Sequence, residues 1–225
     1  MRLMEDKEAR LARIWLAVFL GIAAMWPNSA SAQAPELLPE PVRVGDRFTY
    51  DIKDEITGDP KGTYVSVVAE VSEKEITTAI SFRGKSGSQL VVLDRDWNRI
   101  DDSIWKYKPN NGQGVRLPLT VGKTWRLEYY ATNLQSGVVL RSSGVSKVVA
   151  PETVTTPAGT FETFKVESHV MQNSTLDATK GSQTDITTWY APAIHHWVRR
   201  TFVTRSNRRV RSSTSEELAD FSRKM

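Results

Sequence analysis

Val65-Ser66-Val67-Val68-Ala69-Glu70-Val71 and, a few residues on, Ile76-Thr77-Thr78-Ala79-Ile80-Ser81-Phe82 are the stretch whose reading decides the fold. Val65, Val67, Ala69 and Val71 recur at every second position, and so do Ile76, Thr78, Ile80 and Phe82. An extended chain throws alternate side chains to opposite faces, so a period of two predicts half-buried strands. Outward from this pair, similar runs follow at Gln89–Leu93, Ile104–Tyr107, Trp125–Tyr130, Val138–Val149, Phe161–Met171, Ile186–Tyr190 and Trp197–Thr204. Turn-forming groups separate them: Thr57-Gly58-Asp59-Pro60, Gly84-Lys85-Ser86-Gly87, Asn110-Asn111-Gly112, Pro157-Ala158-Gly159 and Ser206-Asn207. Strands joined by such turns pair antiparallel. Helical periodicity is nearly absent. Ser215–Phe221, where Thr214 and Glu217 have capping-box spacing, reads either as a short helix or as a continuation of the last strand. The expectation is an all-β, single-domain protein with a strongly curved antiparallel sheet, closing as an open barrel or folding over as a sandwich, because a flat sheet of this many strands exposes too much edge.

The start of the chain has the order of a secretory leader. Met1–Arg13 carries four basic and three acidic residues, Ile14–Trp26 is uncharged, Pro27 follows, and Ala30-Ser31-Ala32 fits the small-residue cleavage rule. The apolar run is shorter than the about 20 residues that a membrane-spanning helix needs. The expected organisation is a signal peptide at 1–32, an extended proline-rich lead-in at 33–43, and a β domain at 44–225. The alternative is an uncleaved signal anchor. The chain contains no cysteine, so neither disulfides nor lipidation on cysteine is expected, and the predicted location is the periplasm. Removing 32 of 225 residues leaves 193, enough to bury roughly 70% of the unfolded surface in one core. It also leaves 26 Lys+Arg (30 less 4) against 23 Asp+Glu (26 less 3), a net charge of +3, which argues only weakly for a polyanionic partner.

No catalytic signature stands in this chain. Gly84-Lys85-Ser86 lacks the upstream glycine of a phosphate-binding loop, since position 79 is alanine. Asp94-Arg95-Asp96-Trp97-Asn98 opens like a calcium loop, but Arg99 and Trp105 stand where glycine and glutamate are required, and a polar turn accounts for it. The histidines are His169, His195 and His196. The last two are adjacent, so on a strand they diverge and cannot share a metal ion. No metal and no cofactor is expected.

Two groups of residues are candidates for binding. The aromatics Trp97, Trp105, Tyr107, Trp125, Tyr129, Tyr130, Trp189 and Tyr190 fall on or beside strands, and Trp105, Trp125, Trp189 and Tyr190 are the candidates for an apolar or sugar ligand, against ordinary core packing. Arg199, Arg200, Arg205, Arg208, Arg209 and Arg211 lie in an acid-free stretch. Of these, Arg199, Arg200, Arg208, Arg209 and Arg211 are candidates for contact with an anionic lipid surface, against charge protection of a hairpin edge. Outside the cytoplasm nucleic acid is a poor partner.

Three segments carry a resemblance: Val121-Gly122-Lys123-Thr124-Trp125, Thr156-Pro157-Ala158-Gly159-Thr160-Phe161-Glu162-Thr163-Phe164-Lys165-Val166, and Trp189-Tyr190-Ala191-Pro192. Their order is similar to that of the TapB-like proteins, bacterial exported β proteins of unknown function. What the resemblance implies is an exported β-rich fold without an assigned activity. The motifs also read physically: Pro157 presets a turn, Gly159 ends it, and the following strand sets Phe164, Val166, Ser168 and Val170 on one face. The leading functional expectation is a non-catalytic periplasmic module that binds an apolar or amphipathic ligand, or a partner protein, on the concave side of its sheet. A filled envelope protein recognising its partner through the arginine-rich hairpin is the competitor, and an enzyme of unrecognised class is third.

Overall fold

The computed structural model describes residues 41–110, 112, 114–177 and 180–223. The leader expected at 1–32 and the lead-in up to position 40 lie outside the described residues. Among those described, twelve strands form: β1 (Arg47–Asp54), β2 (Pro60–Val71), β3 (Glu75–Phe82), β4 (Gln89–Asp94), β5 (Arg99–Asp101), β6 (Trp105–Lys108), β7 (Thr124–Asn133), β8 (Val139–Thr156), β9 (Gly159–Ser174), β10 (Gly181–Ala191), β11 (His196–Ser206) and β12 (Arg209–Ser222). Each pairs antiparallel with the next, and β12 returns to β1, so the sheet is a closed up-and-down barrel. Closure removes the edges that an open sheet would expose. Ser215–Phe221 lies within β12, paired on both sides; the helical alternative gives way because its backbone groups are taken up by β1 and β11.

The turns behave as their sequences dictate. Thr156 pairs with Gly159 across the two-residue Pro157-Ala158 turn, and Gly159 has φ +136°. Asn207 (φ 51°) and Arg208 (φ 62°) both sit in the left-handed region between the paired Ser206 and Arg209, the backbone of a type I′ hairpin turn.

The face expected for β3 is the inner one, with Ile76 and Thr78 buried. On β2 the parity is the reverse of the sequence reading. Tyr64, Ser66 and Val68 point inward, whereas Val65 and Val67 are half-buried and Ala69 is exposed. A register shift between Val68 and Glu70 then brings Val71 back against the core. A bulge of one residue swaps the faces, which alternation alone cannot reveal.

Twelve strands enclose more volume than inward side chains of an eight-stranded barrel can fill. Alternating hairpins put the β2–β3, β4–β5, β6–β7, β8–β9 and β10–β11 connections at one end, and some of these supply the plug. Trp97, Val115, Leu119 and Ile194 come from three of these connections, and with Val42, ahead of β1, they are buried in the main core cluster. The other end carries the β1–β2, β3–β4, β5–β6, β7–β8, β9–β10 and β11–β12 turns. A second buried cluster, Tyr107, Leu127, Tyr129, Ala131 and Val170, fills the β6–β9 side.

Candidate functional site

The β4–β5 turn builds the floor of the site. Asp94 Oδ1 accepts from the backbone N–H of Asp96 (2.9 Å) and Asn98 (2.8 Å), and this tight loop holds Trp97 at φ 64°. Here the calcium-like sequence works as a turn that aims an indole into the barrel. Trp97 is 2% exposed, and its Nε1–H donates to the His195 carbonyl at 2.8 Å. Among the described residues no group of His, Cys, Asp or Glu is arranged to hold a metal ion.

His195 is not a strand residue. It ends the 3-10 turn Pro192–Ile194 in the left-handed region, and His196 begins β11. Both are buried. His196 stacks on Phe48 at 4.2 Å and takes the edge of Trp97 at 4.3 Å. Tyr50 Oη lies 2.6 Å from His196 Nδ1 and donates at 2.6 Å to the Trp197 carbonyl. One phenolic proton cannot serve two acceptors, so the arrangement is satisfied when His196 carries its proton on Nδ1 and donates it to Tyr50. Burial pushes the His196 imidazole well below 6.5 and the Tyr50 phenol well above 10, which keeps this floor uncharged.

Above the floor lies a cavity of about 320 Å³ between β1–β5 and β11–β12. At about 30 Å³ per liquid water it has room for roughly ten waters. Tyr50, Tyr64, Phe82, Trp97, Trp197 and Phe202 give it aromatic walls. The lining grades from Tyr50 (0% exposed), Trp97 and His196 at the bottom to Phe82 (40%) at the top, so the mouth faces the end opposite the plug.

Polar groups enter the wall at a few points. Arg200 and Glu216 are paired across β11 and β12. The Arg200 guanidinium lies over Trp197 (4.5 Å) and Phe202 (5.0 Å), and its Nε–H donates to Thr188 Oγ1 at 3.2 Å. Tyr64 Oη–H donates to Glu216 at 3.1 Å. Burial lowers the Arg200 pKa from its ordinary value, while the Glu216 carboxylate opposes the shift. Among the described residues the buried Trp197 Nε1 has no hydrogen-bond partner.

The four aromatics singled out from sequence lie elsewhere. Trp125 is buried in the main core and Trp105 packs against the second cluster. Tyr190 is fully buried beside His195, with Oη 3.0 Å from Nδ1. Trp189 is on the outer face, where its Nε1–H donates to Glu152 at 2.6 Å and Lys165 and Arg199 lie over its ring at 5.6 and 5.8 Å. Of the eight aromatics considered from sequence, Trp97 alone lines the cavity. The arginines separate as well. Arg199 donates to Glu217 at 3.1 Å on the outer face, Arg200 enters the cavity, and Arg208, Arg209 and Arg211 are exposed at the β11–β12 tip. The rule that sends adjacent strand residues to opposite faces, applied above to the histidines, already separates Arg199 from Arg200.

Comparison with known proteins bears on this geometry at the level of fold. Residues 145–208 match the family described as DUF3108-like. Over that stretch the chain resembles this family. The match runs from β8 to the β11–β12 turn and holds two of the three motif segments, those around Pro157 and Trp189. Among curated proteins none matches. A candidate lipoprotein from Parabacteroides distasonis ATCC 8503 aligns at a TM-score of 0.57 and 13% identity over 83% of this chain and 98% of that one. A candidate exported protein with a YmcC-like fold from Bacteroides fragilis NCTC 9343 aligns at 0.56 and 17% over 83% and 99%. These likenesses carry the barrel and not the side chains of the cavity.

Proposed function

We propose that this chain is an exported, envelope-associated β-barrel that holds one small amphipathic molecule in the cavity between β1–β5 and β11–β12, without catalysing a reaction. The observation that carries the reading is the cavity itself. It combines apolar and aromatic walls with a few polar groups, the usual make-up of a small-molecule site. Export is supported by the leader pattern at 1–32, with the mature chain starting at Gln33, and by the descriptions of the two solved neighbours as exported or lipoprotein. Kinship with the TapB-like proteins belongs to the same proposal, resting on the three motif segments.

The test is a titration of the full chain with the neutral, apolar dye N-phenyl-1-naphthylamine, beside a variant in which Thr78→Trp fills the cavity. Thr78 is 2% exposed and lines the wall. Saturable dye emission from the parent chain, and its loss in the variant with circular dichroism unchanged, is the expected result. Equal emission from both proteins would place the dye elsewhere and end the proposal.

A further inference from the structure

The mouth end of the barrel has a surface that the cavity does not explain. Six turns lie there, and each carries a large apolar residue exposed to solvent at or beside its tip. They are Ile56 (61% exposed), Phe82 (40%), Ile104 (41%), Leu134 (51%), Leu176 (83%) and Val210 (47%), one for each hairpin in the order given above. Polar turn residues would serve these positions at no cost to the fold, and scattered exposed apolar side chains need no explanation. A ring with one member on every hairpin at one end is a different matter, because exposed apolar side chains gathered on one face mark an interaction site. At the plugged end Val44 and Val121 are the exposed large apolar residues of the connecting segments.

The same end is basic where it flanks the cavity. The β3–β4 turn carries exposed Arg83 and Lys85, and the β11–β12 hairpin carries exposed Arg208, Arg209 and Arg211, with no acid between them in either turn. Three acids at this end are paired locally, Asp54 with Lys61 at 3.0 Å, Asp102 with Arg99 at 3.4 Å and Asp177 with Lys180 at 3.5 Å, while Asp59 and Asp101 lie away from these two basic turns, in the β1–β2 turn and at the end of β5. Apolar tips interspersed with unneutralised cations match the interface of an anionic bilayer, where side chains enter the headgroup boundary and basic residues are attracted by the surface potential. The barrel wall does not fit a transmembrane role. Exposed Asp51, Glu70, Arg126, Glu128, Arg141 and Lys147 interrupt any apolar belt.

We propose that the barrel docks end-on to an anionic lipid surface through this ring, which presents the cavity mouth to the membrane. The inference rests on the cavity reading for what passes through the mouth, but the docking stands on the ring and its charges alone.

The absence of cysteine makes a direct test clean. The full chain is given one cysteine, Leu134→Cys or Leu176→Cys at the ring or Val121→Cys at the plugged end, and is labelled with the environment-sensitive fluorophore NBD. Each protein is mixed with vesicles of phosphatidylcholine alone or with 30% phosphatidylglycerol. The expected result is a blue shift and a rise of emission at positions 134 and 176 on the anionic vesicles and none at 121. Replacing Arg83 and Lys85 together by serine is expected to weaken that partitioning about 25-fold, each cation near the surface being worth about a factor of five. A shift at 121 as large as at 134, or equal insertion into both kinds of vesicle, would overturn the proposal. So would no shift on either, leaving a protein as the occupant of the ring. Dye binding in the cavity is measured separately, so the two readings fail independently.

Discussion

Replacing Trp97 by alanine puts the plug at the base of the cavity to the test. The indole is 2% exposed, lies edge-on to His196 at 4.3 Å and contacts Phe48 and Trp197 at centroid distances of 6.4 and 6.0 Å. Truncating a buried aromatic costs about 3–5 kcal/mol, and leaving the His195 carbonyl without its indole donor adds about 1 kcal/mol. The sum, about 5 kcal/mol, rivals the whole stability of many domains, roughly 5–15 kcal/mol. Trp97→Phe keeps most of the burial and loses the donor, for about 2 kcal/mol. Trp97→Gly removes the side chain but relaxes the left-handed backbone at φ 64°, so it should be about 1 kcal/mol less damaging than alanine. Urea unfolding of the full chain, followed by far-ultraviolet circular dichroism, reads these differences. With a slope of about 2 kcal/mol/M, the alanine midpoint should fall by about 2.5 M. An alanine variant within about 1 kcal/mol of the parent would refute the plug as part of the core.

The buried histidines set an acid limit. Desolvation depresses both His195 and His196, so the unfolded chain binds more protons below pH 6.5; stability is full above that value and falls as the pH drops towards the folded pKa values, by about 1.4 kcal/mol per unit for each histidine. Urea midpoints between pH 7.5 and 5.5 would show this, and a flat profile would contradict it. Among the arginines, Arg200→Ala should cost about 3 kcal/mol through loss of a buried, hydrogen-bonded cation, whereas Arg208→Ala at the exposed tip should stay within about 0.5 kcal/mol. Thermal unfolding of the pair separates them, and equal effects would remove the distinction between inner and outer arginines.

The strands were legible because alternation is local. Ile76 to Phe82 and Phe164 to Val170 show their inner faces directly, and Pro157-Ala158-Gly159 and Ser206-Asn207 announce their turns. What stayed hidden depends on neighbours distant in sequence. The bulge at Ala69 exchanges the faces of β2, and no pattern within the strand announces it. Trp97 reads as a residue in a polar loop until the barrel end is seen to need a plug. Tyr50, Tyr64, Trp197 and Arg200 form the cavity wall only because β1 and β2 meet β11 and β12, a pairing between segments far apart in the chain. The arginine stretch looked like one patch because density along a sequence says nothing of which face each member takes, although adjacency alone should have split Arg199 from Arg200.

The pairing of β1 with β12 also governs the order in which the molecule can be made. Asp46, fully buried, and Arg223 are 177 residues apart, yet Arg223 Nε donates to the Asp46 carboxylate at 3.2 Å beside that seam. A chain that emerges amino end first has β1 and β2 available early, but the outer edge of β1 has no partner until β12 has followed. Hairpins can zip one after another as they appear, each closing a short loop, while the seam demands the longest loop closure in the domain. Throughout that interval β1 presents a strand edge bearing Phe48 and Tyr50, the kind of template on which chains cross-pair. The closed barrel, which abolishes edges once complete, therefore concentrates its hazard in the moments before completion, and a factor that shields the first strand during emergence would act where this fold is most exposed.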